Sequence, residues 1–130
     1  MNSKLTKLAF LLGSIYFVFM ALAHFFSVKV PILFIYYNTP FYAYQDKIIS
    51  FAVTAYIALF YGASQSRDVA RYAILVMIIT AAGLSYINIS SELNALLTEQ
   101  QTTMPYWIQT GMIGAYTLVL IALYLNDRNN

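Results

Sequence analysis

The stretch Leu8–Phe26, LAFLLGSIYFVFMALAHFF, contains no Asp, Glu, Lys or Arg, and its one histidine, His24, stands near its end. A helix rises ~1.5 Å per residue and needs ~20 apolar residues to cross ~30 Å of hydrocarbon, so this run is long enough to span a bilayer. Three runs of similar length follow, Ile48–Ala63, Val69–Ile89 and Tyr106–Leu125. The 130-residue chain is 61% hydrophobic and 9% charged, and most of its charges lie between or beyond these runs. At that depth no water satisfies backbone N–H and C=O groups, which leaves helices or a closed barrel as the only spanning structures. Continuous runs, as opposed to short alternating ones, exclude the barrel. The expected fold is an all-α membrane protein: a four-transmembrane-helix bundle with up-down topology, forming a single domain over residues 1–130.

Basic residues orient the bundle. Lys4 and Lys7 precede the first run, Arg67 and Arg71 flank the junction of the second and third, and Arg128 follows the fourth, leaving only Lys29 and Lys47 on the opposite side. The positive-inside rule then places both termini in the cytoplasm of a multi-pass protein of the cell membrane. Lys4, Lys7 and the small-residue triplet Ala21-Leu22-Ala23 resemble a cleaved leader. The first apolar run exceeds the ~7–15 residues usual for such a segment, so an uncleaved first helix is expected.

The connector from Ser27 to Lys47 is rich in aromatic and apolar residues. Val30–Tyr37 is too short to span, and it is expected to lie along the outer interface or against the bundle. Thr39 followed by Pro40 reads as an N-cap and first helical residue, which starts the second helix at Pro40 and runs it to about Ala63. Ser66 reads as the N-cap of the third helix. Tyr86, Ile89, Leu93, Leu96 and Leu97 keep helical spacing, which predicts that this helix overshoots the bilayer to about Leu97. Pairs of small residues four apart, Ala9/Gly13, Ala58/Gly62, Ala81/Ser85 and Gly111/Ala115, offer places where backbones approach closely.

His24 is the sole histidine, and an ionisable group inside a span is a functional hypothesis. If the first two helices are antiparallel neighbours, His24 meets the outer turns of the second, where Tyr42 and Asp46 share a face at i, i+4. Glu92 on the helix-three extension is expected at similar depth. His24, Tyr42, Asp46 and Glu92 therefore form the candidate polar cluster. A carboxylate beside an imidazole fixes its tautomer, an arrangement suited to proton relay or to binding a polar group. Tyr36, Tyr37, Tyr42, Tyr44, Tyr106 and Trp107 fall at the same expected level, either as an interfacial aromatic belt or as the walls of a cavity for a lipid, quinone or other planar apolar ligand.

Cysteine is absent, so thiolate metal sites and Cys nucleophiles are excluded. No cluster of zinc ligands appears. A haem held by His24 and Met20 fails because the two share a helix face and cannot bind opposite sides of the iron. No cofactor is expected. No basic cluster points to nucleic acid; the expected partners are the lipid bilayer and a second copy or another membrane protein.

In size and number of spans the chain is similar to small multidrug-resistance transporters. Those carry an essential carboxylate in their first helix, and Leu8–Phe26 has none, so the resemblance does not carry the activity. The leading expectation is a non-catalytic membrane protein, an accessory subunit or a binder of a small apolar or lipid-like ligand at the outer interface. The alternative is an oligomeric transporter or proton-coupled carrier using His24 and Asp46, and a third is an interfacial lipid or quinone enzyme.

Overall fold

The computed structural model describes residues 2–34 and 36–129, with side chains through residue 127. Residue 35, inside the apolar segment Val30–Tyr37, and Asn130, the expected cytoplasmic C-terminus, lie outside the described residues. All regular structure among the described residues is helical: α1 (Lys4–Phe25), α2 (Tyr42–Gln65), α3 (Arg67–Asn88), the short α4 (Ser91–Leu96) and α5 (Met104–Asn129). Four of these, α1, α2, α3 and α5, are long and apolar enough to cross a membrane. Large apolar side chains such as Leu5, Leu12, Phe19, Phe51, Ile79 and Leu118 stand exposed along them. That outward apolar surface matches a hydrocarbon solvent.

Side-chain contacts at the two ends give the relative directions of the helices. At one end Asn2 Nδ2 donates to the Ala63 carbonyl (2.6 Å), Arg67 Nη2 to the Tyr124 carbonyl (2.7 Å), and the Ser3 amide to Asp127 Oδ2 (2.8 Å). This end holds the start of α1, the end of α2, the start of α3 and the end of α5. At the other end Asn88 Nδ2 of α3 donates to Thr110 Oγ1 of α5 (2.8 Å), and His24 of α1 meets Asp46 of α2. Sequential long helices are therefore antiparallel. Lys4, Lys7, Arg67 and Arg71 fall toward the first end, and Lys29 and Lys47 toward the second.

The core between the four helices is narrow and aromatic. Phe10 and Phe60 are wholly buried and meet edge-on with ring centroids 5.7 Å apart, and Phe17 packs against both Phe60 and Tyr56 at 5.0 Å. Met77 and Leu120 close it from α3 and α5. Of the small-residue pairs, Gly13 marks a close approach: a Cβ there would lie 2.3 Å from Tyr116 Oη and 2.6 Å from the Phe60 ring. Gly111 has no such neighbour within 4 Å, so it marks no close approach of helices among the described residues.

Two expected boundaries differ. Helix α2 begins at Tyr42, not Pro40, and its N-cap position is Phe41 in the left-handed conformation (φ 61°) without a side-chain cap. Thr39 instead supplies its carbonyl to the Tyr42 amide (3.1 Å), so Thr39-Pro40 builds a turn ahead of the helix. Helix α3 does not overshoot to Leu97. It stops at Asn88, the Ile89 amide turns back to the Tyr86 carbonyl (3.3 Å), and α4 starts afresh with Ser90 Oγ accepting from the Leu93 amide (3.2 Å). The helical spacing of Leu93 and Leu96 is real but belongs to a separate helix that ends at Leu96, with Leu97 extended beyond it, because Ser90 supplies the N-cap that lets a new one begin.

The connector packs on the bundle as irregular chain, with a turn at Val30–Phe34 in addition to the one at Thr39-Pro40. Helix α1 ends in a Schellman arrangement: the Ser27 amide bonds the His24 carbonyl, the Val28 amide bonds the Ala23 carbonyl, and Ser27 takes the left-handed φ of 52° that glycine usually supplies. This end reverses the chain over the bundle. There the Leu33 carbonyl accepts from Tyr16 Oη of α1 (2.7 Å) and from Gln109 Nε2 of α5 (3.4 Å). Phe34 stacks on Tyr16 at 5.7 Å, and Tyr36 and Tyr37 meet Tyr106 at 5.2 and 5.9 Å.

Candidate functional site

His24 lies in the last turn of α1 and Asp46 in the second turn of α2, and antiparallel packing brings Nδ1 of the first to 3.2 Å from Oδ1 of the second. Both are largely out of solvent: the side chains are 13% and 7% exposed. A carboxylate in its ionised form only accepts hydrogen bonds, so in that form Asp46 accepts a hydrogen bond from Nδ1 and sets the tautomer of His24. Asp46 Oδ2 is buried and has no hydrogen-bond partner among the described residues. Buried carboxylate oxygens are costly when unpartnered, which makes this atom the strongest chemical signal in the structure.

The pair lines a cavity of about 480 Å³ bordered by α1, α2, α3 and α5, by Leu93 of α4 and by the connector. Tyr36, Tyr37, Tyr42, Tyr106, Phe17 and Phe34 present rings to it. Several polar groups facing this space are already engaged elsewhere. Tyr36 Oη donates to the Ile32 carbonyl (2.5 Å), Tyr56 Oη is paired with Thr80 Oγ1 (2.9 Å), and Asn88 Nδ2 is held by Thr110. The phenol of Tyr36 is pushed up to about 12, by burial first and by the neighbouring phenols of Tyr16 and Tyr106 second. It therefore stays a neutral donor throughout the physiological range.

A second cavity of about 340 Å³ adjoins the first through Phe17, Met77, Gln109 and Ile113. It runs between α1 and α5, where Leu12, Tyr16, Met112 and Tyr116 give it an almost wholly apolar lining. Gly13 contributes to its wall, and Ile32 of the connector lies over it.

The structure thus brings His24, Tyr42 and Asp46 to one cavity and leaves Glu92 out. Glu92 is exposed on α4 and accepts from Ser91 Oγ at 3.3 Å. The break after Asn88 turns α4 away from the α3 axis, so depth read along a continuous helix misplaced it. Of the aromatic residues expected at this level, Tyr36, Tyr37, Tyr42 and Tyr106 line the cavity, whereas Tyr44 and Trp107 stand exposed. Sequence reasoning missed Tyr56, Thr80, Asn88 and Gln109 as cavity residues. Their signal was polarity deep inside apolar runs: the hydroxyl of Thr80 bonds Tyr56 on another helix, whereas Thr54 and Thr117 bond their own preceding turn, and Thr110 bonds both its own turn and Asn88.

Among the described residues no three His, Asp or Glu side chains converge in a way that could hold a metal ion. Compared with family models, curated proteins and solved structures, the chain matches none.

Proposed function

We propose that this chain is a non-catalytic multi-pass membrane protein, with both termini in the cytoplasm, that holds a small amphipathic molecule in the cavity at the outer end of an up-down four-helix bundle. The observation that carries this reading is the cavity itself: about 480 Å³, ring-walled, with a buried carboxylate oxygen left unpartnered on its surface. Ligand sites commonly enclose ~300–1,000 Å³, are mostly apolar and keep a few placed polar groups to fix orientation. The adjoining apolar cavity leaves room for a tail. The orientation of the termini rests on the basic residues gathered at the Asn2–Ala63 end.

Purification in a mild detergent followed by native mass spectrometry tests it. The wild-type protein should retain an adduct of small-molecule mass. Ile49→Trp, at an exposed position on the cavity wall, should fold normally and lose the adduct. A wild-type protein free of adducts, or an adduct unaffected by Ile49→Trp, would count against a cavity ligand.

The 3.2 Å contact of His24 with Asp46 favours one further reading, a proton-coupled carrier in which the pair holds the proton. Proteoliposomes separate the two: a carrier acidifies or alkalinises the lumen with its substrate, and His24→Gln abolishes that flux.

A further inference from the structure

A buried carboxylate oxygen stands unpartnered at the polar end of the cavity, and we propose that the ligand presents to it an organic ammonium group, a protonated amine on an apolar body. This rests on the cavity reading above and adds the charge and hydrogen-bonding character of the head group.

Asp46 is 5% exposed, and its Oδ1 is satisfied by His24 while its Oδ2 has no partner. With the hydrogen on Nδ1, the neutral imidazole offers only a lone pair at Nε2, and Nε2 makes no hydrogen bond among the described residues. The dyad in this form carries one negative charge and displays acceptors alone. No other cation among the described residues forms an ion pair with it. His24–Asp46 is the ion pair found among the described residues, Lys29 Nζ lies over the Tyr42 ring at 5.3 Å, and Lys47 is exposed. Among the described residues no donor bonds Oδ2: the hydroxyls of Tyr36 and Tyr56 and the amides of Asn88 and Gln109 are engaged with other groups, and the hydroxyl of Tyr42 and the amide of Gln45, which also line the cavity, make no hydrogen bond to it.

The walls reinforce the sign. Aromatic faces carry negative electrostatic potential and attract ammonium groups, most strongly where water is excluded. A protonated amine satisfies both features at once: its N–H groups donate to Asp46 Oδ2 in a charge-assisted hydrogen bond, and its charge faces the tyrosine rings. A quaternary ammonium gains the rings and the attraction of the charge but no hydrogen bond, an alcohol gains only the hydrogen bond, and a carboxylate is repelled. Its apolar body extends past Phe17 and Met77 into the cavity between α1 and α5.

Calorimetric titration of the protein in phosphatidylcholine nanodiscs at neutral pH, with empty nanodiscs subtracted, tests the proposal with decylamine, decyltrimethylammonium and decanol. Decylamine should bind about tenfold more tightly than either comparison compound, the scale of one charged hydrogen bond. Asp46→Asn, which keeps the side-chain shape, should erase the preference over decanol, and Ile49→Trp should remove binding of all three. Equal binding of decanol would show that a neutral donor suffices, as when His24 is protonated and neutralises the dyad, and would overturn the proposal. Equal binding of decyltrimethylammonium, or a preference that survives in Asp46→Asn, would overturn it too. If no probe binds while an adduct sensitive to Ile49→Trp is still retained on purification, the cavity reading stands and the ammonium fails; if neither is seen, both fail.

Discussion

Replacing Gly13 by alanine places a methyl group where the structure has no room for it. The new Cβ would fall 2.3 Å from Tyr116 Oη and 2.6 and 2.8 Å from two carbons of the Phe60 ring. Neither neighbour moves freely. Tyr116 Oη donates to the Ala9 carbonyl at 2.8 Å, and Phe60 is wholly buried between Phe10 and Phe17. Overpacking of this kind costs ~1–3 kcal/mol, and displacing the Tyr116 hydroxyl forfeits a hydrogen bond contributing ~1 kcal/mol. Alanine's better helix propensity returns up to ~1 kcal/mol, so a net destabilisation of about 1–3 kcal/mol is expected. At the middle of that range the folded-to-unfolded ratio falls about thirtyfold. Reversible unfolding in SDS, followed by Trp107 fluorescence, reads the change directly. Gly111→Ala and Gly114→Ala are the internal controls, having no atom within 4 Å of the new methyl, and should be neutral or slightly stabilising. Adding Tyr116→Phe to Gly13→Ala removes the closest clash but leaves the Phe60 ring, so recovery should be partial. A Gly13→Ala protein as stable as Gly111→Ala would refute the close approach of α1 to α2 and α5.

Thr110→Val leaves the buried Asn88 amide without its acceptor and should destabilise by about 1 kcal/mol; a double-mutant cycle with Asn88→Ala in the same SDS assay should return a coupling of ~0.6 kcal/mol or more. Reporter fusions at residue 130 and between residues 99 and 103 should read cytoplasmic and external respectively, and two signals on the same side would break the four-span arrangement. Because the folded state raises the Tyr36 phenol from 10.0 to about 12, the stability it contributes is present below the unfolded value and lost as pH climbs from about 10 towards 12. Alkaline titration of tyrosinate absorbance should accordingly lose a late-titrating phenol in Tyr36→Phe.

The parts of this fold legible in the sequence are those governed by hydrophobic length. Leu8–Phe26 announces α1 because it holds no Asp, Glu, Lys or Arg to oppose burial in lipid, and the meeting of His24 with Asp46 follows from packing two such runs antiparallel. The start of α2 was hidden because Thr39-Pro40 satisfies the local rule for a helix start equally well as a turn. The left-handed Phe41 that sets the true start carries no glycine or asparagine to announce it. The stop at Asn88 was hidden for a different reason. Periodicity continues through Leu97, but Asn88 is buried by α5, and its bond to Thr110 is a tertiary fact with no local trace. The cavity inherits both difficulties. Its dyad was foreseeable from neighbouring helices, whereas Tyr56 and Thr80 enter it through a contact between α2 and α3 that depends on rotation about the helix axes.

The Leu33 carbonyl, shared by Tyr16 of α1 and Gln109 of α5, spans a seam where those two helices otherwise enclose a cavity. Since the acceptor belongs to the main chain, no side-chain replacement at position 33 deletes it. What would displace it is a change in the number of residues between Ser27 and Phe41, which would move a different carbonyl under the two donors and slide Phe34 off Tyr16. Selection on this segment is therefore expected to act on its length more than on its composition, so that related chains would tolerate exchanges among its apolar residues and resist single-residue insertions or deletions.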